Sequence, residues 1–173
     1  MTTAPAGAIV WITGLPASGK STLAERVRAR RAAGARPCVV LDGDAVRAAL
    51  VPPPGYDDAA RDAFYETLGR LALLLAAQGH DVIVAATAHR RAYRDRVRAA
   101  TARFVEVLVH ASAADRAARD HKGLYAAARA GAAPNLPGAG APYEAPVRPD
   151  VEADGGHDAA ALERICALLA AER

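Results

Sequence analysis

The chain has few of the residues that mark disulfide-rich, membrane-spanning or nucleic-acid-binding proteins. Its 173 residues include only two cysteines, Cys38 and Cys166. Two cysteines cannot form a disulfide framework, and because both lie in apolar segments we expect core thiols. No segment reaches the roughly 20 apolar residues of a membrane span, and the net charge of +3 is too small for a nucleic-acid footprint. We therefore expect neither a membrane nor a nucleic acid as a partner.

Lysine is equally scarce, since only Lys20 and Lys122 occur among the 22 basic residues. Arginine is densest in residues 90–103, a pattern more typical of a solvated helix face than of an RNA-binding patch. Residues 1–7 have neither the charged start nor the apolar run of a secretory signal, so we expect a flexible N-terminus and a cytoplasmic protein. The length suits one domain, residues 1–173.

The first of the two lysines belongs to a phosphate-binding pattern. Residues 14–21, GLPASGKS, match G-x-x-x-x-G-K-[ST], with an apolar β-branched run before them and a helical pattern after them. In such a loop backbone N–H groups surround a phosphate, the lysine reaches the β- and γ-phosphates, and the serine hydroxyl binds Mg²⁺. The residues expected to bind the nucleoside triphosphate are Gly14, Ala17, Ser18, Gly19, Lys20, Ser21 and Thr22.

Strand and helix patterns alternate along the whole chain. Apolar runs predict strands at 8–13, 37–41, 81–86, 104–109 and 151–153. Periodic patterns predict helices at 22–33, 45–50, 57–77, 93–101, 113–119 and 158–171. Such alternation is typical of an α/β protein with a parallel sheet and helices on both of its faces. Together with the phosphate-binding loop, it predicts a P-loop NTPase fold with about five strands.

Residues 119–150 are predicted to form a lid and a substrate loop. The first part is charged, with a short helical turn, and residues 132–150 are rich in proline and glycine. A long irregular segment in a compact domain is often a functional cover. Positive charge on a mobile cover suits the transition state of phosphoryl transfer.

Two aspartates follow the second predicted strand, at the sheet edge where ligands bind in parallel sheets. Phosphoryl transfer needs carboxylates to hold Mg²⁺ and to orient the attacking hydroxyl. We predict Asp44 to be the base or the Mg²⁺ partner, with Asp42 as its support. Arg47, expected to point outward from the short helix, can face the same cleft, and Arg61 is a second candidate for gripping an anion.

These residues resemble the adenylylsulfate kinase family. The resemblance lies in GLPASGKSTLA at 14–24, LDGDAVR at 41–47, KGLY at 122–125 with ARAG at 128–131, and PYEAP at 142–146. It covers nearly the whole chain, and the KGLY and PYE segments are its specific parts. Members of this family transfer the γ-phosphate of ATP to the 3′-hydroxyl of adenosine 5′-phosphosulfate, giving PAPS in sulfate assimilation, and are often dimers. The resemblance thus implies ATP, Mg²⁺, this acceptor and a homodimer.

The resemblance also implies roles for individual residues. Lys20 and Asp44 would be catalytic, with Asp44 helping to activate the acceptor hydroxyl and, with Ser21, binding Mg²⁺. Arg119 would contact ATP from the lid, beside Asp120 and Lys122. The residues implied to bind the acceptor are Asp44, Arg47, Tyr56, Arg61, Lys122 and Leu136.

The departures from the family pattern all fall on the acceptor side. Phe64 replaces an asparagine, and Thr87-Ala88-His89-Arg90-Arg91 replaces Phe-Ile-Ser-Pro-Tyr. Residues 134–140 replace Lys-x-Phe-Thr-Gly-x-Asp, which puts Leu136 and Gly140 where the family has an aromatic residue and an aspartate. Two alternatives therefore stay open: a paralogous kinase of another small-molecule hydroxyl, and a nucleotide-binding P-loop protein with little turnover.

Overall fold

The computed structural model describes residues 6–120, 123–131 and 135–171. Within them the strands are β1 (Ile9–Thr13), β2 (Val39–Asp42), β3 (Val82–Ala85), β4 (Phe104–His110) and β5 (Val151–Asp154). The helices are α1 (Lys20–Ala33), α2 (Gly43–Ala49), α3 (Asp58–Ala77), α4 (Arg91–Ala100), α5 (Ala113–Ala118), α6 (Leu124–Arg129) and α7 (Ala159–Ala170).

The five strands form one parallel sheet in the order β2-β3-β1-β4-β5. One or two helices connect each strand to the next strand along the chain, and these helices cover both faces of the sheet. The predicted P-loop NTPase fold with about five parallel strands is therefore confirmed.

The alternation of side chains along the strands separates two cores. Val10 and Ile12 of β1 face α1 and α7, where Leu23, Val27 and Ile165 are fully buried. The intervening residues Ile9 and Trp11 face the other side of the sheet, where the core continues into α3 and α4 through the side chains of Phe64, Tyr65, Leu68, Tyr93 and Val97. Because β1 is buried on both faces, it carries no polar residue before Thr13.

The boundaries of several elements differ from the predictions by one or two residues. Helix α1 begins at Lys20 because the backbone of the phosphate-binding loop already turns into the helix at Gly19. Helix α2 begins at Gly43, since the Asp42 side chain accepts from the N–H groups of Asp44 and Ala45 and caps it. Helix α4 begins two residues early, at Arg91, whose N–H donates to the Glu144 carboxylate at 2.8 Å.

The flexible N-terminus predicted for residues 1–7 extends too far, because Gly7 is already part of the ordered fold. Residues 1–5 lie outside the described part of the chain, but Gly7 is buried and its N–H donates to the Ala76 carbonyl at 2.8 Å. A Cβ at Gly7 would lie 1.8 Å from the His80 carbonyl oxygen, so only glycine fits. The ordered chain therefore already includes the residues just before β1.

The basic segment 90–103 is not the solvated helix face that its composition favours. Arg94 is completely buried and donates to Glu106 at 2.7 Å. Arg98 also donates to Glu106, at 2.5 Å, and Arg90 pairs with Asp58 and Asp62 of α3. Carboxylates on α3 and β4 thus neutralise much of this charge, which composition alone could not reveal because the partners are distant in sequence.

Among the described residues no helix is both long and apolar enough to cross a bilayer. The two cysteines are free and half-buried, and both pack against the α1–α7 core. Burial raises the pKa of each thiol.

Candidate active site

The phosphate-binding loop follows β1 and wraps around the start of α1. Three of its residues have left-handed backbone angles, with φ of 154° at Gly14, 60° at Ala17 and 105° at Gly19. A Cβ at Gly14 would lie 2.6 Å from the Val109 carbonyl oxygen. The Ser18 hydroxyl is buried and has no hydrogen-bond partner among the described residues. The loop therefore offers backbone N–H groups around a small space at a helix N-terminus, the geometry that binds phosphate.

The end of the loop packs against the turn between β5 and α7. A Cβ at Gly19 would come within 2.5 Å of the Gly156 nitrogen, and a Cβ at Gly156 would lie 2.6 Å from the Gly19 carbonyl oxygen. The two backbones touch where neither residue has a side chain. This contact fixes the start of α1 against the last third of the chain.

The polar groups at the base of the loop contact one another. The Lys20 ammonium donates to the Leu15 carbonyl at 2.9 Å. The Ser21 hydroxyl donates to the Asp42 carboxylate at 2.5 Å, although Asp42 ends β2, a strand that is separated from β1 by β3. The structure thus brings Lys20, Ser21 and the Asp42–Asp44 turn to one edge of the sheet, as predicted. The sequence analysis assigned Asp42 only a supporting role, and the direct contact of its carboxylate with Ser21 was missed.

Arg47 is buried, contrary to the expected outward orientation. Its guanidinium carbon lies 3.9 Å from the centre of the Phe64 ring and 4.5 Å from that of Tyr56. The same group donates to the carbonyls of Pro54 and Gly55 at 3.0 and 2.8 Å. Helix α2 packs against α3, so the face predicted to be exposed meets aromatic rings. Phe64 therefore provides a cation–π partner for Arg47.

Arg61 is also buried and donates to the Asn135 carbonyl at 2.7 Å. This bond ties α3 to the segment that follows the gap at 132–134. Leu136 in that segment is buried, and its carbonyl accepts from the N–H of Gly140, which closes a tight turn. Leu15 of the phosphate-binding loop lies against Gly138 in this turn. A Cβ at Gly138 would be 2.5 Å from a methyl group of Leu15. The predicted substrate loop thus contacts both the phosphate-binding loop and α3.

His89 follows β3 and lies among aromatic rings. Its ring centre is 5.5 Å from that of Tyr93 and 6.3 Å from that of Tyr65. The side chain is 4% exposed, and its Nδ1 atom has no hydrogen-bond partner among the described residues. Burial lowers the pKa of the imidazole, and the positive charges of Arg61 and Arg90 lower it further.

The chain around His89 is held from several directions. The Ala88 N–H donates to the Tyr65 hydroxyl at 3.0 Å, and the Ala88 carbonyl accepts from buried Arg94. The His89 carbonyl accepts from the Glu144 N–H at 2.8 Å. Burial raises the pKa of the Tyr65 hydroxyl, which remains neutral and accepts this bond. These contacts fix the turn after β3, where Ala88 itself has a φ of 42°.

The PYE segment is anchored at the same sheet edge. The Tyr143 hydroxyl lies 3.0 Å from the Thr13 hydroxyl, which donates to the Thr87 carbonyl at 2.6 Å. Arg94 donates to the Glu144 carbonyl at 2.7 Å. Tyr143 also lines a small cleft, together with Leu15 and residues 108–111. Sequence reasoning missed this anchoring role, because no local pattern links residue 143 to β1.

The described part of the lid reaches the phosphate-binding loop. The Tyr125 hydroxyl donates to the Pro16 carbonyl and accepts from Arg116, both at 2.9 Å. Asp120 caps α6 by accepting from the N–H groups of residues 124 and 125 at 2.8 Å. Arg119 is exposed, and its guanidinium lies 3.5 Å from the Ser18 carbonyl oxygen. Lys122, expected beside them, lies outside the described residues.

Comparison with known proteins agrees with this geometry. A family model described as adenylylsulphate kinase matches residues 6–154. The chain is 40% identical over 146 residues to the adenylyl-sulfate kinase of Microcystis aeruginosa. That alignment covers 84% of this chain and 81% of the relative. It is 42% identical over 166 residues to the bifunctional enzyme NodQ of Azospirillum brasilense. That match covers 94% of this chain but only 27% of NodQ.

Solved structures show the same likeness. The Mycobacterium tuberculosis APS kinase CysC, in complex with AMPPNP and APS, is 34% identical and superposes with a TM-score of 0.87. The superposition covers 96% of this chain and 99% of that one. Likeness over whole chains, in sequence and in structure, extends through the lid and the PYE segment as well as the phosphate-binding loop.

Proposed function

The chain belongs to the adenylylsulfate kinase family, and we propose that it transfers the γ-phosphate of ATP to the 3′-hydroxyl of adenosine 5′-phosphosulfate, giving PAPS and ADP. It is an ATP-dependent kinase. The observation that carries the proposal is the meeting of two sheet-edge turns: the Ser21 hydroxyl of the phosphate-binding loop lies 2.5 Å from the Asp42 carboxylate, next to Asp44. This arrangement can place a triphosphate and an acceptor hydroxyl within one crevice.

On the donor side, the triphosphate would lie on the loop between Gly14 and Gly19. Its N–H groups and the N-terminus of α1 carry partial positive charge toward the phosphates. The Lys20 ammonium, now bonded to the Leu15 carbonyl, would exchange that neutral acceptor for a phosphate oxygen. Because a charged acceptor binds an ammonium more strongly than a carbonyl does, the exchange favours nucleotide binding.

The donor set at the base of the loop fits Mg²⁺, which prefers oxygen ligands and keeps several waters. The Ser21 hydroxyl and the Asp42 carboxylate already face each other, and Asp44 is exposed two residues further on, in the first turn of α2. We expect Ser21 to bind the ion directly, with an aspartate of this turn as its partner. When bound, the ion would neutralise charge on the transferring phosphoryl group.

On the acceptor side, Asp44 is the proposed base. The 3′-oxygen forms a bond to the γ-phosphorus while the bond from that phosphorus to the bridging oxygen of ADP breaks. The hydroxyl proton passes to the Asp44 carboxylate. Asp44 suits this role because it lies in the first turn of a helix capped by Asp42, so its backbone position is fixed.

The lid would complete the site above the triphosphate. Arg119 lies 3.5 Å from the carbonyl of Ser18, so its charge is already beside the loop. Tyr125 holds the lid helix to Pro16 by a hydrogen bond. We expect Arg119 and Lys122 to face the nucleotide when the lid closes, which supplies positive charge where phosphoryl transfer develops negative charge.

The test is ADP release measured by a coupled assay with Mg²⁺ and ATP, with and without adenosine 5′-phosphosulfate. We expect ADP release to depend on micromolar acceptor, and PAPS to form in equal amount. ATP binding without any acceptor-dependent turnover would contradict the proposal and favour a nucleotide-binding protein without catalysis. The resemblance to the family also implies a homodimer, and light scattering would test it. A mass equal to that of one chain at the assay concentration would contradict the homodimer.

A different small-molecule alcohol is the second candidate acceptor, because three residues of the proposed acceptor site differ from the family pattern. Phe64 binds Arg47 through its ring, His89 lies in the turn after β3, and Leu136 fills a buried position. These three residues depart from the family pattern. Phe64 contacts Arg47, the charge of Arg61 acts on His89, and Leu136 follows the residue to which Arg61 donates. A screen of small alcohols with ATP would favour this reading if another alcohol gave a kcat/KM higher than that of adenosine 5′-phosphosulfate.

A further inference from the structure

The turn after β3 holds a buried polar atom that the catalytic assignments leave unused. The side chain of His89 is 4% exposed, and its Nδ1 has no hydrogen-bond partner among the described residues. A buried polar atom without a partner costs free energy. Most such atoms in folded proteins are satisfied, so each exception calls for an explanation.

The position of this turn in the sheet is central to the crevice. Strand β3 lies between β2, which ends at Asp42, and β1, which leads into the phosphate-binding loop. Ligands of parallel sheets bind beyond the carboxyl ends of the strands. The turn at residues 87–90 therefore leaves the sheet between the proposed base and the triphosphate.

The neighbours of His89 suit a nucleoside more than a simple anion. The rings of Tyr65 and Tyr93 lie beside it, and Tyr65 makes an edge contact with Phe64 at 5.3 Å between centres. Burial, and after it the positive charges of Arg61 and Arg90, lowers the pKa of the imidazole and so favours its neutral form. A neutral imidazole can donate or accept one hydrogen bond at Nδ1.

Hydrogen bonds from three other parts of the chain hold the turn that carries His89 in one conformation. Its carbonyl accepts from Glu144, and the preceding carbonyl accepts from buried Arg94. The Tyr65 hydroxyl holds the N–H of Ala88. Side chains fixed by such supporting bonds are suited to selecting a ligand, because little conformational freedom is lost on binding.

We propose that His89 is a specificity-determining residue of the acceptor site, whose Nδ1 hydrogen-bonds a polar group of the acceptor's nucleoside. This inference rests on the proposed function. Arg61, whose positive charge acts on the imidazole, donates to the Asn135 carbonyl. The proposal requires that this bond break when the acceptor binds. The bond from His89 then satisfies the atom that has no partner in the described structure.

The test compares two substitutions at His89. H89F keeps a ring of similar size and removes the polar atom, whereas H89N places a polar atom close to the position of Nδ1. We expect H89F to raise the KM for adenosine 5′-phosphosulfate about tenfold, with the KM for ATP and kcat changed less than twofold. H89N should recover an acceptor KM within about threefold of the unsubstituted enzyme. H80F, at an exposed histidine, is the matched control.

Three outcomes would overturn the proposal. The first is an acceptor KM of H89F equal to that of the unsubstituted enzyme. The second is an equal loss in H89F and H89N together with a fall in melting temperature, which indicates packing alone. If H89F does not fold, the ¹⁵N NMR signal of the His89 imidazole is measured in the unsubstituted protein instead. A chemical shift that saturating acceptor leaves unchanged contradicts the proposed hydrogen bond from His89. Absence of turnover in the unsubstituted enzyme contradicts the proposed acceptor itself, whereas turnover with an unaffected H89F contradicts only the role of His89.

Discussion

The donor and acceptor sides of the crevice are built in different ways. The donor side is mostly backbone: left-handed residues of the loop, a helix N-terminus and one lysine within eight consecutive positions. The proposed acceptor side is mostly side chains from distant elements. Arg47 lies over the Phe64 ring, and Arg61 donates to the Asn135 carbonyl. His89 lies beside the rings of Tyr65 and Tyr93. A phosphate is the same in every nucleotide, so a backbone cradle serves any of them. An acceptor must be distinguished from other alcohols, which requires particular side chains.

The largest effect is expected on the donor side, from Lys20. K20A removes the ammonium that would contact the β- and γ-phosphates, and we expect phosphoryl transfer to fall about 10³-fold. The measurement is single-turnover transfer at saturating ATP. R28A, on an exposed face of the same helix, is the control and should retain full activity. A K20A enzyme within tenfold of full activity would refute the role given to this lysine.

Asp44 lies where the two sides meet, and its loss should rank next. D44A removes the proposed base, so we expect kcat to fall about 10²- to 10⁴-fold with little change in the KM for ATP. D42A provides the comparison, since it removes the helix cap and the partner of Ser21 and should destabilise the fold by about 1 kcal/mol. Full activity in D44A would show that another group accepts the proton.

Arg61 tests whether the acceptor side depends on distant contacts. R61M removes a buried guanidinium that donates to Asn135, and we expect the acceptor KM to rise about 10- to 100-fold while the KM for ATP stays within twofold. R70M, on the exposed face of the same helix, is the control. Equal changes in both KM values would mean that the two sides are not separable.

Leu136 tests the acceptor side by gain rather than loss. L136F restores an aromatic ring where the family has one, and stacking of that ring on an adenine should lower the KM for adenosine 5′-phosphosulfate about threefold. L74F, at an exposed leucine of α3, controls for added hydrophobic area. An unchanged acceptor KM in a folded L136F protein would show that no ring binds at this position.

The smallest effect concerns protonation of His89. Its folded-state pKa lies below the unfolded value of 6.5, through burial and the charges of Arg61 and Arg90, and in spite of Asp58 and Asp62. The unfolded state therefore binds more protons near pH 6, so this group lowers the free energy of unfolding as the pH falls below 6.5. Proton NMR of the imidazole should show a titration midpoint below 6.5. A midpoint at or above 6.5 would contradict the burial argument.

The difference between the two sides also explains how far the sequence could predict this molecule. The loop, the strand before it and the helix after it form one local unit, so eight residues were enough to locate the donor site. The sheet and its helices followed from hydrophobic periodicity. Helix ends were less predictable, because caps such as Asp42 depend on side-chain hydrogen bonds.

The acceptor side could not be derived in the same way. Arg47 was expected to point outward because periodicity sees only one helix, whereas its burial depends on Tyr56 and Phe64 of another segment. Likewise, the bond of Arg61 to residue 135 spans 74 positions. Local patterns contain no information about such pairs. The resemblance named the residues of this side, and the structure supplied their partners.

The contact between Gly19 and Gly156 limits how the protein can vary. A Cβ at Gly19 would meet the backbone of Gly156, and a Cβ at Gly156 would meet both the Gly19 carbonyl oxygen and the Cβ of Thr22. No single substitution can be relieved by turning a side chain away, and a simultaneous change would only make the clash worse. In a library of random variants selected for activity, we expect both positions to remain glycine. The turn after β5 should therefore tolerate as little variation as the phosphate-binding loop that it contacts.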